Sequence, residues 1–233
     1  MEQFNESIPV LDHGLVRLVD HMGSDLSIVR NARVSYNAEW RTGEDAGKDE
    51  KLINYLYTNG HNTPFECVVF TFEVKAPIFV FRQWHRHRTQ SFNEVSARYT
   101  ELPEEFYVPA ESQITMQSVS NKQMRTDKQH PLSKYYQLEI EEQCKDSFIT
   151  YRRMIADGVP RELARLVLPV ATYSHMFATV NLHNLFRFLG ERLHPHAQYE
   201  IRVYAEALLL LIEPICPVAV AVFKKRMAGE PNE

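Results

Sequence analysis

Cysteine is scarce in this chain of 233 residues: Cys67, Cys144 and Cys216 stand far apart and are odd in number. That argues against a disulfide framework and for a reducing cytoplasm. A surplus of positive charge is also missing. Lys and Arg total 26 against 30 Asp and Glu, a formal net charge of −4, so any anion site has to be local and no basic surface advertises nucleic acid. Long hydrophobic runs are absent too. The most apolar stretch, Ala207 to Phe223, is broken by Glu213, Pro214 and Pro217, and reads as buried helix ends instead of a membrane span. The N-terminus carries Glu2, Glu6 and Asp12 where a secretory signal would be basic and then apolar. No GxGxxG fingerprint and no Walker-type phosphate loop occurs, so side chains have to hold any nucleotide.

What is present is enough for a core. With 44% hydrophobic residues and no internal repeat or linker, residues 1–233 read as a single domain. Val10 to Val19 alternates like a strand, and Ser24 and Asp25 start a helix reaching Val34. A second helix covers Lys48 to Asn59, stopped by Gly60. Cys67 to Val74 is the strongest strand, and Pro77 opens a short apolar helix from Ile78 to His85. Gln113 to Pro131 is polar and reads as a flexible excursion. Ser133 to Asp157 predicts a long helix ended by Gly158, with Pro160 as the first residue of another. Leu166 to Val180 is β-rich, and Asn181 to Arg192 and Ala197 to Ile212 read as helices. Strands between unequal helical blocks, without a βαβ rhythm, predict an α+β fold.

The unusual segment lies between Lys75 and Tyr99. It holds Lys75, Arg82, Arg86, Arg88 and Arg98 against one carboxylate, Glu94, with Trp84, Phe92 and Tyr99 interleaved. Guanidinium forks match phosphate oxygens in pairs, so the run suits a phosphate or pyrophosphate ligand with a flat ring to stack. On charge alone it also reads as a solvated basic loop. His85 and His87 invite a metal, yet Arg86 between them repels a cation and no Cys or Asp pair stands nearby, so no metal is expected.

Residues 86–99, RHRTQSFNEVSARY, carry Arg86, His87, Arg88, Ser91, Asn93, Glu94, Ser96, Arg98 and Tyr99 at every fixed position of a known signature. The chain resembles the flavin-dependent thymidylate synthases. The likeness continues through Gly60-His61-Asn62-Thr63-Pro64-Phe65-Glu66, Gly158-Val159-Pro160-Arg161-Glu162 with Ala164-Arg165, Asn181-Leu182-His183-Asn184-Leu185 and His196-Ala197-Gln198. His183 and Arg187 stand where some relatives carry Arg and Asn, and Gly190-Glu191 precedes Arg192 where leucine is more usual.

The resemblance implies an antiparallel sheet packed with helices, of the thymidylate synthase-complementing-protein type. It implies reductive methylation of dUMP to dTMP, with FAD as cofactor and NADPH and methylenetetrahydrofolate as co-substrates, in a cytoplasmic homotetramer with shared active sites. FAD would meet Ser35, His61, Thr63, Arg86, His87, Arg88 and Glu94, with Asn181, His183 and Arg187 from another subunit. Gln83, Arg86, Glu94, Ser96, Ala97, Arg98, Arg165 and Arg192 would hold dUMP, Arg192 and Ser96 being the catalytic candidates. Taken singly these residues have plainer readings: Arg165 and Arg192 as surface helix residues, His61 as a helix-cap partner, Thr63-Pro64 and Ser96 as turn formers. None of the three cysteines is placed to act as a nucleophile. The rival functions are another flavoenzyme or nucleotide-binding reductase on the same scaffold and an RNA-binding module built on the arginine and aromatic run.

Overall fold

The computed structural model describes residues 7–229, so Glu2 and Glu6 of the N-terminal reading lie outside the described residues. The single strand expected over Val10 to Val19 is a hairpin of β1 (Ser7–Val10) and β2 (Gly14–Met22). The chain reverses at Leu11, whose φ is 59°, and Gly14 then lets the strand pass under Tyr204. A Cβ on Gly14 would collide with the Tyr204 hydroxyl and lie 2.6 Å from the Val10 carbonyl oxygen. Asp12 fixes the turn by accepting the Tyr173 hydroxyl at 2.5 Å and the Val108 N–H at 3.0 Å.

Helix α1 (Asp25–Val34) starts at a capping box between Ser24 and Ser27. Helix α2 (Ala46–Thr58) begins earlier than Lys48 because the Asp45 side chain accepts the Lys48 N–H and caps it. Residues 63–66 form a short helix, α3 (Thr63–Glu66), and Cys67 donates its thiol hydrogen to the Pro64 carbonyl. The strand expected from Cys67 therefore starts at Val69, as β3 (Val69–Pro77). Proline ends it, and α4 (Ile78–Trp84) follows.

The arginine run contains a strand of its own, β4 (Ser91–Glu94). The excursion at 113–131 is ordered as a small hairpin, β5 (Thr115–Gln117) with β6 (Arg125–Gln129). It is held by polar bonds and not by apolar packing, which is why a hydropathy reading missed it. Gln117 donates to the Met124 carbonyl at 2.8 Å, and Arg125 donates to that of Gln113 at 3.1 Å. Helix α5 (Ser133–Ala156) is long, and Pro160 caps α6 (Arg161–Ala164) instead of opening it. Residues 165–167 form a 3-10 turn, so the β-rich stretch narrows to β7 (Tyr173–Asn181). Helices α7 (Leu182–Arg192), α8 (Tyr199–Ile212) and α9 (Pro217–Met227) complete the fold.

The sheet is antiparallel, in the order β1-β2-β3-β7-β4. Alternate residues of β3, Phe70, Phe72, Val74 and Ala76, point into the core beside Met176, Ala178 and Val180 of β7. Phe81, Trp84, Leu185, Phe188, Tyr204 and Leu208 cover that face from α4, α7 and α8. The other face is polar: Glu73 takes His175 at 2.7 Å and Arg17 Nε at 2.6 Å, and Thr71 meets Thr179 at 2.9 Å. A smaller core of Phe148, Tyr151 and Ala164 joins α5 to α6.

A buried ion pair holds the loop between α1 and α2. Arg33 and Asp49 approach to 2.5 Å, the second Asp49 oxygen accepts the Gly43 N–H at 2.8 Å, and Arg33 donates to the Arg41 carbonyl at 2.7 Å. Removing one partner of such a pair leaves a buried charge uncompensated. Asp49→Ala is expected to cost about 3 kcal/mol in urea unfolding, seen as a lower midpoint at unchanged slope.

Candidate active site

Three groups of the expected residues come together separately within one chain. The first lines a cleft of about 370 Å³ between β4, the loop after it, and the turn after α6. Glu94, Ser96, Ala97 and Arg165 face it, with Ile78 and Ser174 completing the wall. The Ser174 hydroxyl donates to Glu94 Oε1 at 2.6 Å, which holds the carboxylate on one side. Arg165 is exposed and makes no side-chain hydrogen bond or ion pair among the described residues, so its fork is available to an anion. Ser174 was not singled out from sequence, because a polar residue alternating in a strand carries no motif.

Arg98 also belongs to this group but faces Glu162, at 3.3 Å. Both side chains are more than half exposed, and a pair of that kind contributes about 0–1 kcal/mol, so a phosphate can displace the carboxylate at little cost. Ser96 Oγ accepts the Arg98 N–H at 3.3 Å, the turn geometry that the plainer reading of Ser96 describes. No base is hydrogen-bonded to that hydroxyl among the described residues.

The second group lies where the end of α4 meets the end of α7. Trp84 packs on Phe188 with ring centroids 4.8 Å apart, and His87 meets the same ring edge-on at 4.8 Å. Arg192 Nε then donates to His87 Nε2 at 3.0 Å, while Glu191 stands 3.9 Å from that nitrogen. Gln83, on the preceding turn of α4, donates its amide to Gln198. Beside them Arg86 and Arg88 are exposed, without side-chain hydrogen bonds or ion pairs among the described residues. Guanidinium forks without carboxylate partners suit phosphate oxygens.

The third group sits at the start of α7. Asn181 caps the helix by accepting the Asn184 N–H at 2.9 Å, which fixes its side chain and leaves its amide NH₂ to donate to a ligand. His183 lies near Glu66, at the end of α3, whose first residue is Thr63. Arg187 acts on both His183 and His87 and so links this group to the second. His61 stacks on Tyr55 at 5.8 Å, and Ser35 is an exposed residue ending α1. No hydrogen bond, ion pair or shared cavity wall joins the first group to the second among the described residues. Within one chain the C-terminal half of α7 meets the arginine run, through Arg192 and His87.

Ser96 and Arg165, from segments remote in sequence, thus line one cleft, beside a signature loop ordered by the same fold. Residues 17–218 match the thymidylate synthase complementing protein family. The chain belongs to that family. It is 45% identical over 223 residues to the flavin-dependent thymidylate synthase of Treponema denticola, spanning 95% of this chain and 83% of the relative. The flavin-dependent thymidylate synthase of Thermotoga neapolitana is 44% identical, with 94% of each chain covered. Among solved structures, the UMP/dUMP methylase PolB from Streptomyces cacaoi, bound with 5-Br dUMP, is similar with a TM-score of 0.83. Its identity is 36%, over 93% of this chain and 97% of that one.

For a thymidylate synthase complementing protein the cysteine thiols are informative. Burial raises the pKa of all three, and Cys144 and Cys216 are sealed in the core. A thiol that resists deprotonation is a poor nucleophile. Among the described residues no three His, Cys, Asp or Glu gather as metal ligands, and no helix is long and apolar enough to cross a membrane.

His87 sits below the ordinary histidine pKa, first because of burial and then because Arg192 stands beside it. The neutral ring, protonated on Nδ1, is the form that accepts from Arg192. Since the folded pKa is depressed, this contribution to stability is present above the unfolded pKa of 6.5 and is lost as pH falls through the folded value. Imidazole NMR is expected to show His87 titrating below 6.5, and Arg192→Ala to move that titration upward. A His87 titration unaffected by Arg192→Ala would refute the pairing.

Proposed function

We propose that this chain is a flavin-dependent thymidylate synthase that converts dUMP to dTMP in the de novo supply of dTMP. The observation that carries the reading is the cleft between β4 and α6. There Glu94, Ser96 and Ala97 of the signature face Arg165, a cation with no carboxylate partner among the described residues. That arrangement suits a nucleoside monophosphate, with Arg165 and Arg98 on the phosphate and Ser96 and the Ala97 backbone beside it. Gln83, Arg86, Glu94 and Arg192 complete the dUMP set. The chain acts as one domain over 1–233, and its three free cysteines suit a reducing cytoplasm.

The flavin fits the residues present. Arg86 and Arg88 offer guanidinium forks to a pyrophosphate, and His87, Glu94, Thr63, His61, Ser35, Asn181, His183 and Arg187 supply the remaining polar contacts. When bound, FAD supplies the hydride that completes the methyl group, its electrons coming from NADPH. Methylenetetrahydrofolate gives the one-carbon unit.

Carbon 5 of uracil is a weak nucleophile, so the ring has to become more electron-rich. Arg192 does this from the O4–N3 edge, stabilising negative charge there without giving up its own proton. Arg192 is half-buried, and that burial presses its pKa downward. His87 orients the guanidinium through Nε while leaving both terminal nitrogens to the ring. Ser96, without a base, serves as a positioning hydroxyl and not as an attacking one.

The separation of the first and second groups favours a shared site: one subunit contributes the Ser96 and Arg165 cleft, another contributes Arg192 with Gln83. Exposed Tyr99, Leu163, Leu166 and Val170 around the cleft are apolar surface suited to burial in a homotetramer.

Two outcomes test these roles. Arg192→Ala is expected to keep FAD and its reduction by NADPH while losing dTMP formation by at least 100-fold, on the scale of a lost oxyanion-type donor. Normal turnover by a folded Arg192→Ala protein removes the assignment. Mixing inactive Arg165→Ala subunits with inactive Arg192→Ala subunits is expected to restore activity, because some sites then draw both intact residues from different chains. A mixture as inactive as its parents contradicts the sharing.

A further inference from the structure

Glu200, in the first turn of α8, is 3% exposed. A carboxylate so deeply placed needs several donors, and it has three. Its Oε1 receives Arg125 at 3.1 Å and the Tyr107 hydroxyl at 3.3 Å, and its Oε2 receives the Gln198 amide at 2.8 Å. Gln198 in turn accepts from Gln83. Arg125 arrives on the β5–β6 hairpin, where its guanidinium also lies 5.6 Å from the Tyr199 ring centroid. A continuous line of side chains therefore runs from the hairpin through Glu200 and Gln198 to Gln83 on α4.

This line has a direction. A carboxylate only accepts, so Gln198 must turn its NH₂ toward Glu200 and its oxygen toward Gln83. Gln83 must then turn its NH₂ toward Gln198. Without the charged end each amide could flip, and Gln83 would present its two ends in either order. With it, one orientation of Gln83 is held before any ligand arrives, which lowers the ordering cost of binding. The Arg125 charge, brought by the hairpin, makes a buried Glu200 tolerable. A purely structural pair between Arg125 and Glu200 would leave the two glutamines unexplained.

We propose that Glu200 is a positioning residue for dUMP, acting through Gln198 to fix the amide orientation of Gln83, with the β5–β6 hairpin supplying its counter-charge. The proposal rests on the reading of Gln83 as a dUMP contact. The test is dUMP affinity by calorimetry on the FAD-loaded protein, for Gln83→Ala, Glu200→Gln and the double variant. Each single change is expected to raise Kd up to about tenfold, the scale of one hydrogen bond. The double variant is expected to bind no worse than Gln83→Ala, because Glu200 acts through that side chain. FAD content and flavin reduction by NADPH are expected to stay unchanged. If Gln83→Ala weakens binding while Glu200→Gln does not, or if the two losses add, the relay is wrong and the Gln83 assignment stands. If Gln83→Ala binds dUMP normally, the assignment of Gln83 falls and the proposal falls with it. Should Glu200→Gln fail to fold, Gln198→Met breaks the same line at an exposed side chain. It carries the same expectation, and an unchanged Kd there overturns the relay.

Discussion

The antiparallel pairing of β3 with β7 is the constraint from which the site follows. Its register runs unbroken from Val69 opposite Asn181 to Pro77 opposite Tyr173. Because the strands are antiparallel, the chain leaves β3 at one end of the sheet and β7 at the other. Proline ends β3 and opens α4, while Asn181 caps α7, so both helices turn back over the same apolar face. They meet where Trp84 packs on Phe188. That contact sets His87 beside Arg192 and brings the arginine run next to a helix remote in sequence. β4 then adds to the free edge of β7, with Glu94 opposite Met176, and turns the rest of the signature toward Arg165. A register slip of one residue would send every side chain of β7 to the opposite face and dissolve both arrangements.

Charge is distributed by use. The cations that support structure are paired: Arg17 with Glu73, Arg33 with Asp49, Lys75 with Glu105 and Arg125 with Glu200. Those proposed to hold phosphate or pyrophosphate, Arg86, Arg88 and Arg165, face outward without carboxylate partners among the described residues. In a chain of net charge −4, leaving them unpaired keeps local positive potential where anions are to bind. Arg98 is intermediate, parked on Glu162 in an exposed pair that exchanges at little cost. The same economy explains the hairpin: it brings Arg125 to a buried carboxylate that no other cation pairs with among the described residues.

Much was legible in the residues. Capping at Ser24, proline at 77, the start of a helix at Asn181 and the strand in Cys67 to Val74 are local effects, and they fall within a few residues of the expected positions. The arginine run stood out against an acidic background, and the signature around it pointed to the family that the comparison shows. Errors fell where tertiary contacts override local pattern. The β1–β2 reversal depends on Gly14 passing under Tyr204, and the 113–131 hairpin is held by side-chain to backbone bonds that hydropathy does not register.

The sequence by itself determined which chemistry is available: guanidinium forks, one carboxylate in the run, and three widely spaced thiols. It also determined the α+β character, because strand and helix periods are written locally. Only the tertiary structure decided which groups meet. Ser174 against Glu94, Arg192 against His87, and Arg125 against Glu200 are contacts between residues far apart in sequence. Sheet register and helix packing create such contacts, and no local rule encodes them.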